Sequence, residues 1–129
     1  MADDAAHIIH LVSDSTGETV NSVIRAALAR FPDANAEAEV SVFVRSMPAL
    51  DEAIAKISAR PGLVIFTLAD RQLHAHLVGY CRDSNVPMVP ALDPVIAGLA
   101  SYFGQEAAER PGMQHGLTTE YFDRIAALD

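Results

Sequence analysis

The chain has 129 residues, of which 50% are hydrophobic, and a formal net charge of -8. This is the length and composition of one folded domain, and such a chain buries enough apolar surface to need no disulfide or structural metal. The single cysteine, Cys81, excludes a disulfide framework and a multi-cysteine zinc site, and the acidic balance disfavours binding to nucleic acid or an anionic membrane.

Strand-like and helix-like patterns alternate along the chain. Short β-branched or apolar runs predict strands, and apolar residues at intervals of three and four predict an amphipathic helix after each strand. Ser15 and Glu18 have the spacing of a capping box at the first helix, and Pro32 stops that helix. In chain order the predicted elements are a strand at His7–Ser13, a helix reaching Phe31, a strand at Glu39–Arg45, a helix opened by Ser46 and Pro48, a strand at Leu63–Thr67, a helix capped by Asp70, a strand at Val86–Val89, and a helix opened by Asp93 and Pro94.

This alternation predicts a Rossmann-like α/β fold, an open parallel sheet with helices on both faces and right-handed crossovers. We expect four strands in the order 2-1-3-4, with the last strand at an edge because Pro87 lies in it. Residues 1–104 are predicted to form this domain, and 105–129 to be a loop and a helix leading toward an absent domain. The fourth helix is expected to face inward through Ile96, Leu99, Ala100 and Phe103.

Several motifs are absent from the sequence. No Gly-Lys-Ser/Thr phosphate loop and no Gly-x-Gly-x-x-Gly occurs. No apolar run approaches the length of a membrane span, and the acidic N-terminus has no signal-peptide features. We therefore expect a cytoplasmic protein that binds neither membrane nor nucleic acid.

The loop after the first predicted strand is the main candidate site. In open α/β sheets, ligands bind at the carboxyl ends of the strands where the strand order reverses. Backbone N–H groups and the helix dipole favour an anion there, and Gly17 allows close approach to the backbone. The residues predicted to bind phosphate are Ser13, Asp14, Ser15, Thr16, Gly17 and Thr19.

A structural interpretation of the same loop stays open. Asp14 and Glu18 repel an anion unless a cation or an arginine compensates, and Ser15 with Glu18 can simply cap the helix. Asp14 could hydrogen-bond the loop, hold Mg²⁺ or accept a proton. Arg45, at a predicted strand end, either faces the phosphate or pairs with an acid such as Asp14. Thr67 ends the third predicted strand at the same edge.

No metal site is predicted. His74 and His76 are two residues apart on a helix, so they point in different directions. We interpret His7 as an edge residue, His10 as a hydrogen-bonded core residue and Cys81 as a packing residue.

A second polar segment, beginning at Arg110, precedes a last predicted helix at Thr119–Leu128. Arginine, glutamine and histidine side chains can bind phosphate or move a proton. The alternative is a turn that leads into the helix. The candidate residues here are Arg110, Gly112, Gln114, His115, Tyr121 and Arg124.

Together the two motifs resemble those of a known family. The chain resembles the family of regulatory proteins of pyruvate, phosphate dikinase and phosphoenolpyruvate synthase. The residues that carry the resemblance are Ser13-Asp14-Ser15-Thr16-Gly17-Glu18-Thr19 in the first motif, and Pro111-Gly112-Met113-Gln114-His115 and Tyr121-Phe122-Asp123-Arg124 in the second. The resemblance covers essentially the whole chain. It implies part of a bifunctional enzyme that phosphorylates a threonine of the dikinase or synthase with ADP, and dephosphorylates it with inorganic phosphate to give pyrophosphate.

The resemblance also implies what this chain lacks. The family's nucleotide-binding P-loop lies in a second half, so the ADP site is expected outside this chain, which alone should be inactive. We expect no tightly bound cofactor, while a homodimer and the location of the catalytic residues stay open. Two alternatives are a flavodoxin-like FMN-binding module, which Thr16-Gly17-Glu18-Thr19 also resembles, and a pure protein-interaction domain.

Overall fold

The computed structural model describes residues 6–108, which form four parallel strands and four helices. The strands are β1 (His7–Ser13), β2 (Ala36–Ser41), β3 (Leu63–Thr67) and β4 (Met88–Pro90). The helices are α1 (Glu18–Leu28), α2 (Met47–Ala59), α3 (Arg71–Asp83) and α4 (Asp93–Phe103). The strand order is β2-β1-β3-β4, which confirms the predicted Rossmann-like α/β architecture and the edge position of β4.

Each face of the sheet has its own apolar core. Val12, Val64 and Phe66 pack with residues of α2 and α3 on one face. Leu11 and Ile65 pack with the buried side of α1 on the other face. Because successive strand residues point to opposite faces, the central strands β1 and β3 supply apolar residues to both cores.

Two side chains of this core behave as predicted. His10 is buried, and its Nε2 donates a hydrogen bond to the carbonyl oxygen of Arg60 at 2.7 Å. Cys81 is fully buried on the inner side of α3, and desolvation raises the pKa of its thiol. A cysteine of this kind is a packing residue rather than a reactive thiol.

The predicted bounds of the second strand are wrong. The strand is Ala36–Ser41 rather than Glu39–Arg45, because its pairing with β1 begins with Ala36 opposite His7. The ladder ends where Phe43 adopts a left-handed backbone with φ of 53°. Apolar residues continue to alternate after the strand ends, as far as the buried Val44, and this made the predicted strand extend too far.

Two other boundaries also differ from the prediction. The first helix ends at Leu28 rather than Phe31, because Arg30 and Phe31 donate to the carbonyls of Ala27 and Leu28 in a tighter turn. The fourth strand starts at Met88 rather than Val86, whose N–H donates to the carbonyl of Cys81 at 2.7 Å and closes the end of α3.

The expected inward face of α4 is wrong. This helix has no buried residue, and Ile96, Leu99 and Phe103 are 39%, 48% and 57% exposed. Helical spacing shows that apolar residues share a side of a helix, but not that another element covers that side. None of the helices within residues 6–108 is long and apolar enough to cross a membrane.

Candidate functional site

The carboxyl ends of β1 and β3 lie side by side and lead into the candidate loop. Ser13 is paired with Thr67 in the register of the two strands, and the Asp14 N–H donates to the carbonyl oxygen of Thr67 at 3.2 Å. The chain then turns through Ser15 to Gly17 and enters α1. The predicted loop therefore lies at the switch point of strand order, where α/β proteins bind ligands.

The polar side chains of this turn are largely buried. Ser13, Asp14 and Ser15 are each at most 3% exposed, whereas Thr16 is exposed. The Ser15 N–H donates to Ser13 Oγ at 3.0 Å, and the Thr16 N–H donates to Ser15 Oγ at 2.6 Å. The serine hydroxyls therefore fix the turn through its own backbone.

The predicted capping box of Ser15 and Glu18 is absent from the start of α1, where the Glu18 N–H donates instead to Thr16 Oγ1 at 3.4 Å. The N-cap residue is Gly17, with φ of 87°, and it has no side chain to accept a hydrogen bond from the N–H groups of the first turn. By contrast, Ser46 caps α2 by accepting from the Ala49 N–H, and Asp70 caps α3 by accepting from the Leu73 N–H, as predicted. The first turn of α1 therefore has N–H groups of the kind that bind anions.

Asp14 acts as a structural tie. Its Oδ2 accepts a hydrogen bond from the Ala69 N–H at 2.7 Å, and its carbonyl oxygen accepts one from Arg45 Nε at 2.6 Å. The carboxylate thus joins the β1–α1 turn to the β3–α3 connection, in agreement with the structural interpretation of this residue. Within residues 6–108 no group of acids, histidines or cysteine is arranged to hold a metal ion.

Arg45 lies beyond β2 and not at its end as predicted. Its guanidinium lies 5.4 Å from the centre of the Phe43 ring, a cation–π distance, while its Nε binds the Asp14 carbonyl. The Phe43 N–H donates to the Ser15 carbonyl at 2.9 Å. The segment after β2 therefore forms one wall beside the turn.

Thr67 carries a feature that sequence reasoning missed. Its Oγ1 is buried and has no hydrogen-bond partner among residues 6–108. A threonine at a strand end can be found from the sequence, but whether its hydroxyl is paired depends on neighbours brought in by the fold.

The remaining predicted residues are not part of this cluster. His74 Nε2 lies 2.9 Å from Asp93 Oδ2, and His76 Nε2 lies 3.4 Å from Asp51 Oδ1, so the two histidines point apart as expected. Thr19 lies in the first turn of α1 and is half-buried. The second motif lies outside the described residues, and its members are Arg110, Gly112, Gln114, His115, Tyr121 and Arg124.

An open groove of about 880 Å³ lies at the other end of the sheet, beside the amino ends of β1 and β3. It is lined mainly by apolar residues at the start of β1 and β3 and the ends of α2 and α3, including Ile57, Leu63 and Tyr80. Ligands of open α/β sheets bind at the carboxyl ends of the strands, away from this groove. The polar turn after β1 therefore stays the better candidate site.

The fold is that of an α/β protein with a polar turn at the carboxyl edge of its sheet. Residues 9–129 match the kinase/pyrophosphorylase family, and the chain belongs to that family. This confirms the resemblance carried by the two motifs and favours it over the flavodoxin-like alternative.

Relatives named as pyruvate, phosphate dikinase regulatory proteins are similar to nearly all of this chain. One from Caulobacter vibrioides is 48% identical over 94% of this chain and 38% of its own length. One from Rhizorhabdus wittichii is 42% identical over 93% of this chain and 44% of its own length. One from Rhodopseudomonas palustris is 40% identical over 100% of this chain and 46% of its own length. The chain therefore spans less than half the length of these relatives.

Proposed function

We propose that this chain is the N-terminal part of a bifunctional cytoplasmic regulator of pyruvate, phosphate dikinase or phosphoenolpyruvate synthase. The match of residues 9–129 to the kinase/pyrophosphorylase family is the observation that carries this proposal, and the names of the relatives support the dikinase as the target.

The two reactions proposed for the full-length protein balance simply. In the forward reaction the hydroxyl oxygen of a target threonine takes the β-phosphoryl group of ADP, leaving AMP and a phosphothreonine. In the second reaction an oxygen of inorganic phosphate takes the phosphoryl group from the phosphothreonine, and the products are pyrophosphate and the free hydroxyl. Both reactions require sites for phosphoryl groups.

The turn after β1 is the proposed phosphate site of this half. The start of α1 at the left-handed Gly17, which offers no side-chain cap, and the adjacent hydroxyl residues support an anion there. Asp14 keeps its charge, but the bond from the Ala69 N–H directs its Oδ2 toward the β3–α3 connection. We place the ADP site outside this chain, since the sequence has no Gly-Lys-Ser/Thr loop.

A phosphoryl-transfer assay tests the proposed activity. The full-length Caulobacter relative, incubated with a purified dikinase and ADP labelled at the β-phosphate, should label the dikinase on a threonine. This 129-residue chain should transfer no label under the same conditions. Absence of label with the full-length relative would contradict the proposed reaction, and labelling by this chain would place the nucleotide site within it.

A phosphate titration tests the proposed role of the turn. Backbone amide shifts of residues 13–19 should move as inorganic phosphate is added, with a dissociation constant near 1 mM, or about -4 kcal/mol. The affinity is expected to be weak because the chain carries a net charge of -8. Sodium chloride at matched ionic strength is the control. Shifts scattered over the surface, or none at tens of millimolar phosphate, would leave this turn with a structural role.

Gly17 is a poor position for a substitution that tests this site. A Cβ there would lie 3.1 Å from Val42 Cγ1, on a backbone whose φ of +87° disfavours side chains. A variant such as Gly17→Val would therefore disturb the contact between α1 and the segment after β2. Loss of phosphate binding in that variant would not separate a lost ligand contact from a displaced helix.

A further inference from the structure

The Thr67 hydroxyl is the unexplained polar group of the described structure. Thr67 is 7% exposed, and its Oγ1 has under 1 Å² of accessible surface and no hydrogen-bond partner. Buried polar groups in proteins are almost always hydrogen-bonded, because an unpaired one loses its water without compensation. A buried hydroxyl of this kind indicates that a partner is missing.

The alternation of β3 gives the direction of this side chain. Phe66 packs toward α2 and α3, whereas Ile65 packs toward α1. Thr67 is two residues beyond Ile65 and therefore faces the side that α1 covers. Ser13, its register partner on β1, faces the same side, two residues beyond the buried Leu11. The two hydroxyl residues thus lie next to each other at the end of the sheet where α1 begins.

The start of α1, which has no side-chain cap, lies at the same end of the sheet as Ser13 and Thr67, which are opposite each other in strand register. The Thr67 hydroxyl has no hydrogen-bond partner among the described residues. Backbone N–H groups and a hydroxyl can all donate hydrogen bonds, and a phosphoryl group is rich in acceptor oxygens. A cation would need a cluster of acceptors, and the described residues contain no such cluster of acids, histidines or cysteine.

We propose that Thr67 is a binding residue of the phosphate site, whose hydroxyl donates a hydrogen bond to an oxygen of the bound phosphoryl group. This inference rests on the phosphate role proposed for the turn after β1, and adds a contact from a different strand. Because Oγ1 is covered without ligand, this contact requires the turn that follows Ser13 to move when the phosphoryl group enters.

Two substitutions at Thr67 separate the hydroxyl from the shape of the side chain. Thr67→Val keeps the branched shape without the hydroxyl, and Thr67→Ser keeps the hydroxyl. Without ligand, Thr67→Val should melt a few degrees above the unchanged protein, because it removes an unpaired buried polar group. With phosphate, Thr67→Val should bind about tenfold or more weakly than the unchanged protein, as expected for a lost hydrogen bond to a charged group. Thr67→Ser should stay within about threefold of the unchanged protein.

The amide-shift titration with inorganic phosphate, repeated with ADP, reads the affinities and distinguishes a free phosphate from a nucleotide phosphate. The ligand that binds more tightly shows whether the site takes a free phosphate or the phosphate of a nucleotide. Weaker binding of that ligand to Thr67→Val supports the proposal. Equal affinity of Thr67→Val and the unchanged protein overturns the role of Thr67 and leaves the phosphate role of the turn intact. No binding of either ligand to the unchanged protein overturns both. A lower melting temperature for Thr67→Val would show that the hydroxyl already has a partner, which also overturns the proposal.

Discussion

Replacing Gly62 with alanine is expected to destabilise the protein by about 3 kcal/mol or more, at or above the upper end of the range for overpacked sites. A Cβ at this position would overlap the carbonyl oxygen of Ile8 and lie 2.8 Å from its carbonyl carbon. Both atoms belong to the backbone of the central strand β1, so neither can move aside as a flexible side chain would. Urea unfolding of the purified variant measures the loss.

Gly98→Ala is the matched control for this substitution. Gly98 lies in α4, and apart from its own helix backbone no atom of the described residues lies within 4 Å of where its Cβ would be. Alanine is the better helix former, so this variant should be more stable by up to about 1 kcal/mol. Equal stability of Gly62→Ala and the unchanged protein would mean that β1 and the start of β3 do not approach as closely as described.

The second large effect is expected at Phe66. Its side chain is 1% exposed, lies in the core between the sheet and the helices α2 and α3, and meets the His74 ring edge-on at 5.1 Å. Phe66→Ala should cost about 3 to 5 kcal/mol, from lost burial and the cavity that remains. Thermal unfolding followed by circular dichroism should show a lower melting temperature or no cooperative transition.

Phe31→Ala makes the same chemical change at a surface position. Phe31 is 64% exposed and follows the end of α1. Its removal should alter the unfolding free energy by about 0.5 kcal/mol or less. If the two variants were equally stable, the core assigned to the α2 and α3 side of the sheet would be wrong.

The strand order could be predicted because few arrangements satisfy the alternation of strands and helices. Once each crossover is right-handed and short, the order 2-1-3-4 follows as one of a small number of topologies. The positions of β1 and β3 could be predicted because their apolar runs are stable only when buried between helices on both faces of the sheet.

Other features could not be predicted because they depend on contacts between distant residues. The alternation of Val40, Val42 and Val44 does not show where the ladder ends, which is decided by the backbone of Phe43. The exposure of Leu99 and Phe103 depends on what covers α4, and no local pattern reports this.

The candidate site was predicted in position more than in detail. The polar segment after β1 could be placed at the carboxyl edge, since parallel strands end together there. The tie from Asp14 to Ala69 crosses 55 positions in sequence, and the unpaired hydroxyl of Thr67 becomes visible only when β3 lies beside β1. Spacing within one segment carries no information about such pairings.

The central position of β1 has a consequence for synthesis on the ribosome. This strand leaves the ribosome first, yet both of its neighbours, β2 and β3, are made later. At about 5 to 20 residues per second, β3 follows roughly 3 to 11 seconds after β1. During that interval the apolar run around Leu11 has no β3 beside it, and parallel pairing between distant segments is intrinsically slow. The nascent chain is therefore most open to chaperone binding, and to misassociation with other chains, before residue 67 emerges.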